Sequence, residues 1–358
     1  MRAAVYHGPH DLRVEDVPLP DDVGDDDVLI AVSMAAICGS DSAEWDHGPV
    51  LAVPPVTLGH EFVGVVAQVG AGVTTLSVGD RVVSGAGVSC GDCEWCREGR
   101  TNLCERYYTL GLHVNGGLAE FVVSPASICR VVPSHLDDVS AVLAQPFAVA
   151  LHGLRRARVR AGAGVAIIGV GGIGGFLIAG AVARGANPVI AIDVNDERLR
   201  GATVLGATHV INPTTEDVKQ RVLDITGGLG VHSVVEATGV VGSPQTAIDI
   251  VRRGGDVLIL GLHAHRNELD LLSFTVREVD LHGTLAHVCA DDLPEALAIL
   301  ASTDLASQVL EKVIALDDLV ESGIVPLVER SARGKIVVAL GGLAGNTSDE
   351  LSSATEVS

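Results

Sequence analysis

Aromatic side chains are scarce in this chain. Phe, Trp and Tyr make up 3% of its 358 residues, so its core has to be built from aliphatic and small side chains. Basic residues are also short: 24 Lys and Arg stand against 45 Asp and Glu, a formal net charge of −21, which disfavours a surface that grips nucleic acid by its phosphates. Seven cysteines in a chain of this length exclude a small disulfide-stapled scaffold. The first twenty residues carry Arg2, Asp11, Arg13, Glu15 and Asp16 and no apolar run, so no secretory signal is expected and a cytoplasmic protein is the default. One stretch, Val165 to Ala183, is uncharged over the length of a membrane span, but its six glycines point to a buried strand, a tight turn and a packed helix. Neither a membrane nor a nucleic-acid partner is expected.

Glycine, at 42 residues, and hydrophobic residues, at 47%, are abundant, which describes a globular chain with many tight turns. At about 150 residues per domain the length suggests two domains. Up to about residue 140, short β-like runs such as Val28 to Val32, Phe62 to Val69, Arg81 to Val83 and Phe121 to Val123 are separated by Gly, Pro and Asp turns, which predicts a small barrel-like β domain. From Val165 apolar strands alternate with helix-length segments: Val165 to Ile168, Val189 to Ile192, His209 to Ile211, Val234 to Glu236, Val257 to Leu260 and Leu281 to Thr284. That rhythm predicts a parallel, doubly wound sheet with right-handed crossovers. The alternation stops near residue 287, and a predicted helix, Leu293 to Ser302, precedes a closing strand, Lys335 to Leu340, that could return to the first domain. The expected division is therefore 1–146 with 288–345, and 147–287 inserted between them, while the Ser-, Thr- and Glu-rich segment 346–358 has little to bury and is expected to be disordered. Five aspartates among residues 21–27 suit either a cation or, more simply, a solvated turn.

The most specific chemical signal is Cys90-x2-Cys93-x2-Cys96-x7-Cys104, in a polar lobe spanning 88–106. Two-residue spacings let successive sulfurs reach one zinc ion at ~2.3 Å. Two disulfides or an iron-sulfur site are the alternatives. Gly169-Val170-Gly171-Gly172-Ile173-Gly174 matches G-x-G-x-x-G between an expected strand and an expected helix. The glycines permit the tight turn, the approach of a pyrophosphate and close helix–strand packing, and the helix N-terminus supplies amides and positive dipole. Asp193, at the end of the next strand, is placed to accept from both ribose hydroxyls and would repel a 2′-phosphate, so NAD(H) is expected over NADP(H), although the neighbouring Arg198 keeps dual use open. Thr238 completes the expected cofactor set. A glycine-rich turn without a ligand is the plainer alternative. Cys38-Gly39-Ser40-Asp41 and Gly59-His60-Glu61 are weak signals separately; together they offer the thiolate, imidazole and carboxylate of an open zinc site. His152, His263 and His265 read as structural histidines, and Cys129 and Cys289 as small buried hydrophobes.

In order and combination these pieces resemble the zinc-dependent medium-chain dehydrogenases, especially the branch with butanediol, sorbitol and threonine dehydrogenases. Val78-Gly79-Asp80-Arg81-Val82, Asn115-Gly116-Gly117-Leu118-Ala119-Glu120 and Gln145-Pro146-Phe147-Ala148 belong to the same resemblance. It implies an α/β plus β protein: a GroES-like catalytic barrel with an inserted Rossmann domain, one structural and one catalytic zinc, and NAD(H). It implies that Cys38, His60 and Glu61 hold the catalytic zinc, that Ser40 passes the proton, and that Trp45 lines the pocket of a secondary alcohol or vicinal diol. A homodimer or homotetramer is expected through the sheet edge near Leu281 to Leu285. Two positions depart from the pattern. Gln145 stands where this branch usually has a glutamate near zinc, and its neutral amide is the weaker donor, so Glu61 has to compensate. Ala43 stands where the family often has a relay histidine, with His47 nearby. A reductase that has lost the catalytic metal, or a non-catalytic NAD-sensing protein, are the rival readings.

Overall fold

As the turn-rich apolar runs predict, strands are the main regular elements of the first 131 residues in the computed structural model, which describes residues 1–341. The hairpin β1 (Arg2–Gly8) and β2 (Asp11–Asp16) is followed by the long β3 (Asp27–Ala36) and then helix α1 (Gly39–His47). β4 (Val56–Thr57), β5 (Glu61–Val69), β6 (Arg81–Ser84) and β7 (Gly87–Val88) lead into α2 (Glu94–Arg97). β8 (Tyr108–Thr109), β9 (Phe121–Pro125), β10 (Cys129–Val131), α3 (Asp138–Ala141) and α4 (Ala144–Arg156) complete this stretch. Strand and helix then alternate: β11 (Val165–Ile168), α5 (Gly172–Ala183), β12 (Val189–Ile192), α6 (Asp196–Val204), β13 (His209–Ile211), α7 (Val218–Ile225), β14 (Val231–Glu236), α8 (Ser243–Ile250), β15 (Val251–Ile259), α9 (Leu271–Val276) and β16 (Asp280–Gly283). After α10 (Cys289–Ser302) and α11 (Leu305–Val309) come β17 (Leu310–Ala315), α12 (Val325–Val328) and β18 (Lys335–Ala339).

The chain divides into two compact units, Met1–Gln145 with the segment from Lys312, and Pro146–Glu311. In the first, one sheet runs β10-β6-β5-β3-β18-β17, with β9 also paired to β3. Ile30, Val32, Val63, Val83, Val122 and Val337 are buried along it, the aliphatic core that few aromatics require. In the second unit six parallel strands lie in the order β13-β12-β11-β14-β15-β16, so the topological switch point falls between β11 and β14. The continuous apolar runs of β11 and β12 are buried throughout, as a sheet covered on both faces demands. Val165 to Ala183 resolves into β11, the glycine turn and α5, and among the described residues no helix is long and apolar enough to cross a membrane.

The expected return to the first unit near residue 288 is corrected to Glu311–Lys312. α10 is held in the second unit: buried Asp292 pairs with Arg155 at 2.6 Å and meets His152 Nδ1 at 3.1 Å, and Glu295 accepts from Arg184 at 2.8 Å. α10 also starts four residues earlier than the apolar spacing suggests, because Asp292 Oδ2 accepts the Val288 N–H and closes its first turn. Segment 346–358, expected to be disordered, lies outside the described residues.

Candidate active site and cofactor cradle

Strand register brings the candidate zinc ligands together. β3 and β5 are antiparallel with Ala36 opposite Glu61, so Cys38, just past the end of β3, and His60, just before β5, lie at the same end of that strand pair. β18 flanks β3 on the other side with Val337 opposite Ala36, which sets Lys335 level with Cys38. Gly59, at φ +96°, makes the turn into His60; a Cβ there would stand 2.6 Å from Leu118 N. Cys38 is the N-cap of α1, and Asp41 Oδ2 accepts the Cys38 N–H at 2.8 Å. The segment Gly39–His47 has no apolar stripe, and this cap, with Glu44 accepting the N–H groups of Val50, Leu51 and Ala52 at 2.6–3.0 Å, is what organises it.

A donor atom each from Cys38, His60 and Glu61 lies within 4.8 Å of the others. His60 Nε2 is 3.4 Å from Ser40 Oγ, and His60 Nδ1 faces Asp41 Oδ1 at 3.7 Å. Asp41, Glu61, His60 and Lys335 are all buried. Lys335 Nζ donates to Ile37 O at 2.9 Å and stands 2.5 Å from Glu61 Oε2 as an ion pair. Asp41 and Lys335 are site residues that sequence reasoning missed: Asp41 was legible in Cys-Gly-Ser-Asp, whereas nothing local marks a lysine 274 residues beyond Glu61 (335 − 61).

Electrostatics show what this cluster is short of. Burial pushes the His60 pKa down, yet Cys38, Asp41 and Glu61 outweigh it and lift the ring to about 10. Burial likewise depresses Lys335, and Glu61 and Cys38 reverse it. Burial raises the Asp41 carboxyl, opposed by His60. Three acidic groups in a dry site thus draw protons onto their basic neighbours, the condition a divalent cation would relieve. One sulfur, one nitrogen and one oxygen donor, with Asp41 Oδ1 and His60 Nδ1 left without hydrogen-bond partners among the described residues, fit zinc.

The departures from the family pattern are placed as well. Gln145, in the first turn of α4, is buried, and no hydrogen bond among the described residues fixes its amide. His47 ends α1 in solvent, with Nδ1 3.2 Å from Asp46 Oδ2. Trp45 packs edge-to-face on His10, with ring centroids 4.5 Å apart.

The second cysteine group sits on the loop around α2. Cys90 and Cys96 sulfurs are 3.9 Å apart and those of Cys93 and Cys96 3.5 Å, well beyond a disulfide bond of about 2.05 Å, and all four cysteines are free thiols. Four thiolates at ~2.3 Å from one ion would stand roughly 3.8 Å apart, so the spacing fits tetrahedral zinc. Cys104 Sγ accepts the Cys90 and Arg106 N–H groups at 3.2 and 3.3 Å. Amide donors from Glu105 and Cys96 draw Cys93 down to about 6, while burial and neighbouring Cys93 push Cys96 up to about 11. The aspartates of 21–27 are not among the metal-type groups of the described residues. A third such group, Asp256, Asp280 and His282, already holds the Arg158 guanidinium at 3.0 and 2.7 Å from the two carboxylates.

In the second unit the glycine turn has the shape its spacing implies. Gly169 adopts φ +94°, a Cβ on Gly174 would collide with Gly169 O at 2.0 Å, and a Cβ on Gly171, the N-cap of α5, would meet nothing within 4 Å. Gly172 and Ile173 form the first turn of that helix. Asp193 is buried: Oδ2 accepts the Val170 N–H at 2.7 Å and Oδ1 the Asn195 N–H at 2.9 Å. A carboxylate has about four acceptor positions, so the two amides orient it and two remain for vicinal hydroxyls. Arg198 lies in the first turn of α6, its N–H capped by Asn195 Oδ1 at 3.2 Å. Thr238 follows β14 and abuts Gly169, whose Cβ would come 2.6 Å from Thr238 Cγ2.

Comparison with known proteins agrees with this geometry. Residues 24–134 match the family described as alcohol dehydrogenase GroES-like domain, and residues 172–302 match zinc-binding dehydrogenase. Sorbitol dehydrogenase of Bacillus subtilis is 36% identical over 308 residues, 84% of this chain and 86% of the relative. Among solved structures, 2R,3R-butanediol dehydrogenase from Bacillus subtilis superposes with a TM-score of 0.88 at 31% identity, covering 94% of this chain and 99% of that one. A zinc-binding dehydrogenase from Sinorhizobium meliloti bound to NADP superposes with a TM-score of 0.87 at 30% identity, covering 94% and 98%. The chain belongs to the zinc-type medium-chain alcohol dehydrogenase family and is an oxidoreductase acting on CH–OH groups.

Proposed function

We propose that this enzyme interconverts a secondary alcohol or vicinal diol, of the polyol or 2,3-butanediol kind, and the corresponding ketone or hydroxyketone, with NAD(H) as hydride carrier. The observation that carries the reading is the convergence of Cys38, His60 and Glu61, with Ser40 beside His60, at one buried end of the β3–β5 pair. A zinc ion held by Cys38, His60 and Glu61, with Gln145 as a further candidate donor, would supply Lewis acidity toward the substrate oxygen, and NAD+ would accept the hydride. Asp41 Oδ1 lies 3.7 Å from His60 Nδ1 as its nearby negative charge, and Lys335 pairs with Glu61 Oε2. Ser40 Oγ takes the proton of the substrate hydroxyl when a ketone forms and returns it in reduction. Gly171 opens the space for the pyrophosphate, Asp193 accepts from the ribose, and its charge favours NAD(H) over NADP(H). Cys90, Cys93, Cys96 and Cys104 hold a structural zinc.

The active form in this reading is a cytoplasmic homodimer or homotetramer. β16 is one of the two outer strands of the second unit's sheet, with one row of backbone groups unpaired by the sheet and Leu281 and Leu285 exposed. Light scattering on the purified protein tests the assembly.

Zinc per chain and turnover of Cys38→Ala test the chemistry. The wild type should carry about two zinc ions, and the variant about one, with NADH binding kept and oxidation of diols and secondary alcohols abolished. Full activity in the variant would refute the assignment. About one zinc in wild-type protein purified without chelator would favour a reductase without catalytic metal.

A further inference from the structure

His263, read from the sequence as structural, belongs to a hydrogen-bonded chain of defined polarity beside the glycine turn. Glu236, fully buried at the end of β14, is its anchor. Glu236 Oε1 accepts the N–H groups of Thr238 at 2.8 Å and Gly239 at 3.2 Å, the Ser243 hydroxyl at 2.8 Å, and the Thr238 hydroxyl. Its other oxygen, Oε2, lies 2.9 Å from His263 Nε2. Asn267 reaches His263 Nδ1 through Nδ2 at 3.1 Å, while its Oδ1 accepts the Gly242 N–H at 2.8 Å.

The direction of every bond follows. The Gly242 amide can only donate, so Asn267 Oδ1 faces it and Nδ2 faces the imidazole. Nδ1 of His263 is then the acceptor, Nε2 carries the hydrogen, and it donates to Glu236. The chain runs Gly242 to Asn267 to His263 to Glu236. It joins the loop after β14, which holds Thr238 and Gly242, to the loop after β15, which holds His263 and Asn267. These loops leave no slack elsewhere: a Cβ on Gly261 would lie 2.3 Å from Gly239 N, and one on Gly239 2.4 Å from Leu262 O. Thr238 in turn presses on Gly169. The latched pair therefore forms a wall at the switch point, where a dinucleotide lies across the carboxyl ends of the strands.

We propose that His263 and Asn267 are positioning residues for the cofactor, holding the β14 and β15 loops in the arrangement that receives the dinucleotide. This rests on the reading that NAD(H) occupies the glycine turn. Because the chain has a polarity, a side chain with a donor at one end and an acceptor at the other can replace His263, whereas an apolar one cannot.

The test is NADH affinity, by fluorescence titration of the full chain, for wild type, His263→Leu, His263→Gln, Asn267→Leu and, as the reference for the cofactor site, Asp193→Ala, each with its melting temperature. Losing the chain should weaken NADH roughly fivefold to tenfold in His263→Leu and Asn267→Leu, as expected for one or two hydrogen bonds. His263→Gln should stay within about twofold of wild type, since its amide can donate to Glu236 and accept from Asn267. Should His263→Leu fail to fold, Asn267→Leu carries the test. Wild-type affinity in the folded leucine variants, or a glutamine variant as weak as the leucine one, would overturn the proposal while Asp193→Ala still loses NADH. An Asp193→Ala variant that binds as tightly as wild type would instead overturn the cofactor reading, and this inference with it.

Discussion

Removing the Asp193 carboxylate should both weaken NADH and relax the discrimination against NADPH. In Asp193→Ala the ribose loses two hydrogen bonds to a charged acceptor, each ~1.5–3 kcal/mol in a buried site. Part of that is offset, because the Val170 and Asn195 amides lose the same acceptor and the turn they organise relaxes or admits water. A net loss of ~2–4 kcal/mol corresponds to a Kd for NADH roughly 30-fold to 1000-fold higher. The 2′-phosphate of NADPH meets the opposite change. A unit charge about 4 Å from the carboxylate is repelled by ~4 kcal/mol at an effective dielectric constant of 20, and the alanine removes that repulsion. The preference for NADH should therefore shrink by more than the loss of NADH affinity alone. Paired fluorescence titrations with NADH and NADPH at one ionic strength measure both quantities. A Kd for NADH within twofold of wild type, or an unchanged preference between the two nucleotides, would refute the role given to Asp193.

Ser40→Ala should lower turnover about 100-fold, the scale of one positioned proton carrier, with NADH affinity unchanged; a variant as active as wild type would remove Ser40 from the proton path. Lys335→Met leaves buried Glu61 without its ammonium partner and should cost ~3 kcal/mol of stability in urea, and Lys335→Met with Glu61→Gln should recover much of it; strictly additive losses would contradict the pairing. Burial pushes the Asp292 carboxyl up, but His152, the Val288 N–H and Arg155 outweigh it and hold it below the usual carboxylate range. A depressed folded pKa contributes stability that is complete above the unfolded value of about 3.9 and is lost as pH falls through the folded one. Asp292→Asn should therefore show a shallower loss of stability than wild type on acidification below about pH 4, and equal slopes would exclude the linkage.

The features legible in the amino-acid sequence are those whose determinants lie within a few residues of one another. The turn at Gly169 to Gly174 could be drawn beforehand because a left-handed φ at Gly169 and the contact of Gly174 with Gly169 are local. The four-cysteine lobe was legible for the same reason, its sulfurs being joined by a single short loop. The alternation of apolar strands and helices likewise predicted the parallel sheet, since burial on both faces writes itself into each strand's own composition.

What only the tertiary structure decided is everything that depends on strand register and on long-range partners. Cys38 and His60 could be suspected of sharing an ion, but the pairing of Ala36 with Glu61 is what makes them neighbours, and that of Val337 with Ala36 is what sets Lys335 beside them. α10 stays in the second unit through Asp292, Arg155 and His152, an arrangement that no spacing along the chain records. His263 is ordinary as a residue type; its place in a directed chain comes from Glu236 and Asn267 arriving on two different loops. A side chain's chemistry is written in the sequence, whereas the partner that selects its protonation state, tautomer or orientation is chosen by packing across tens or hundreds of residues.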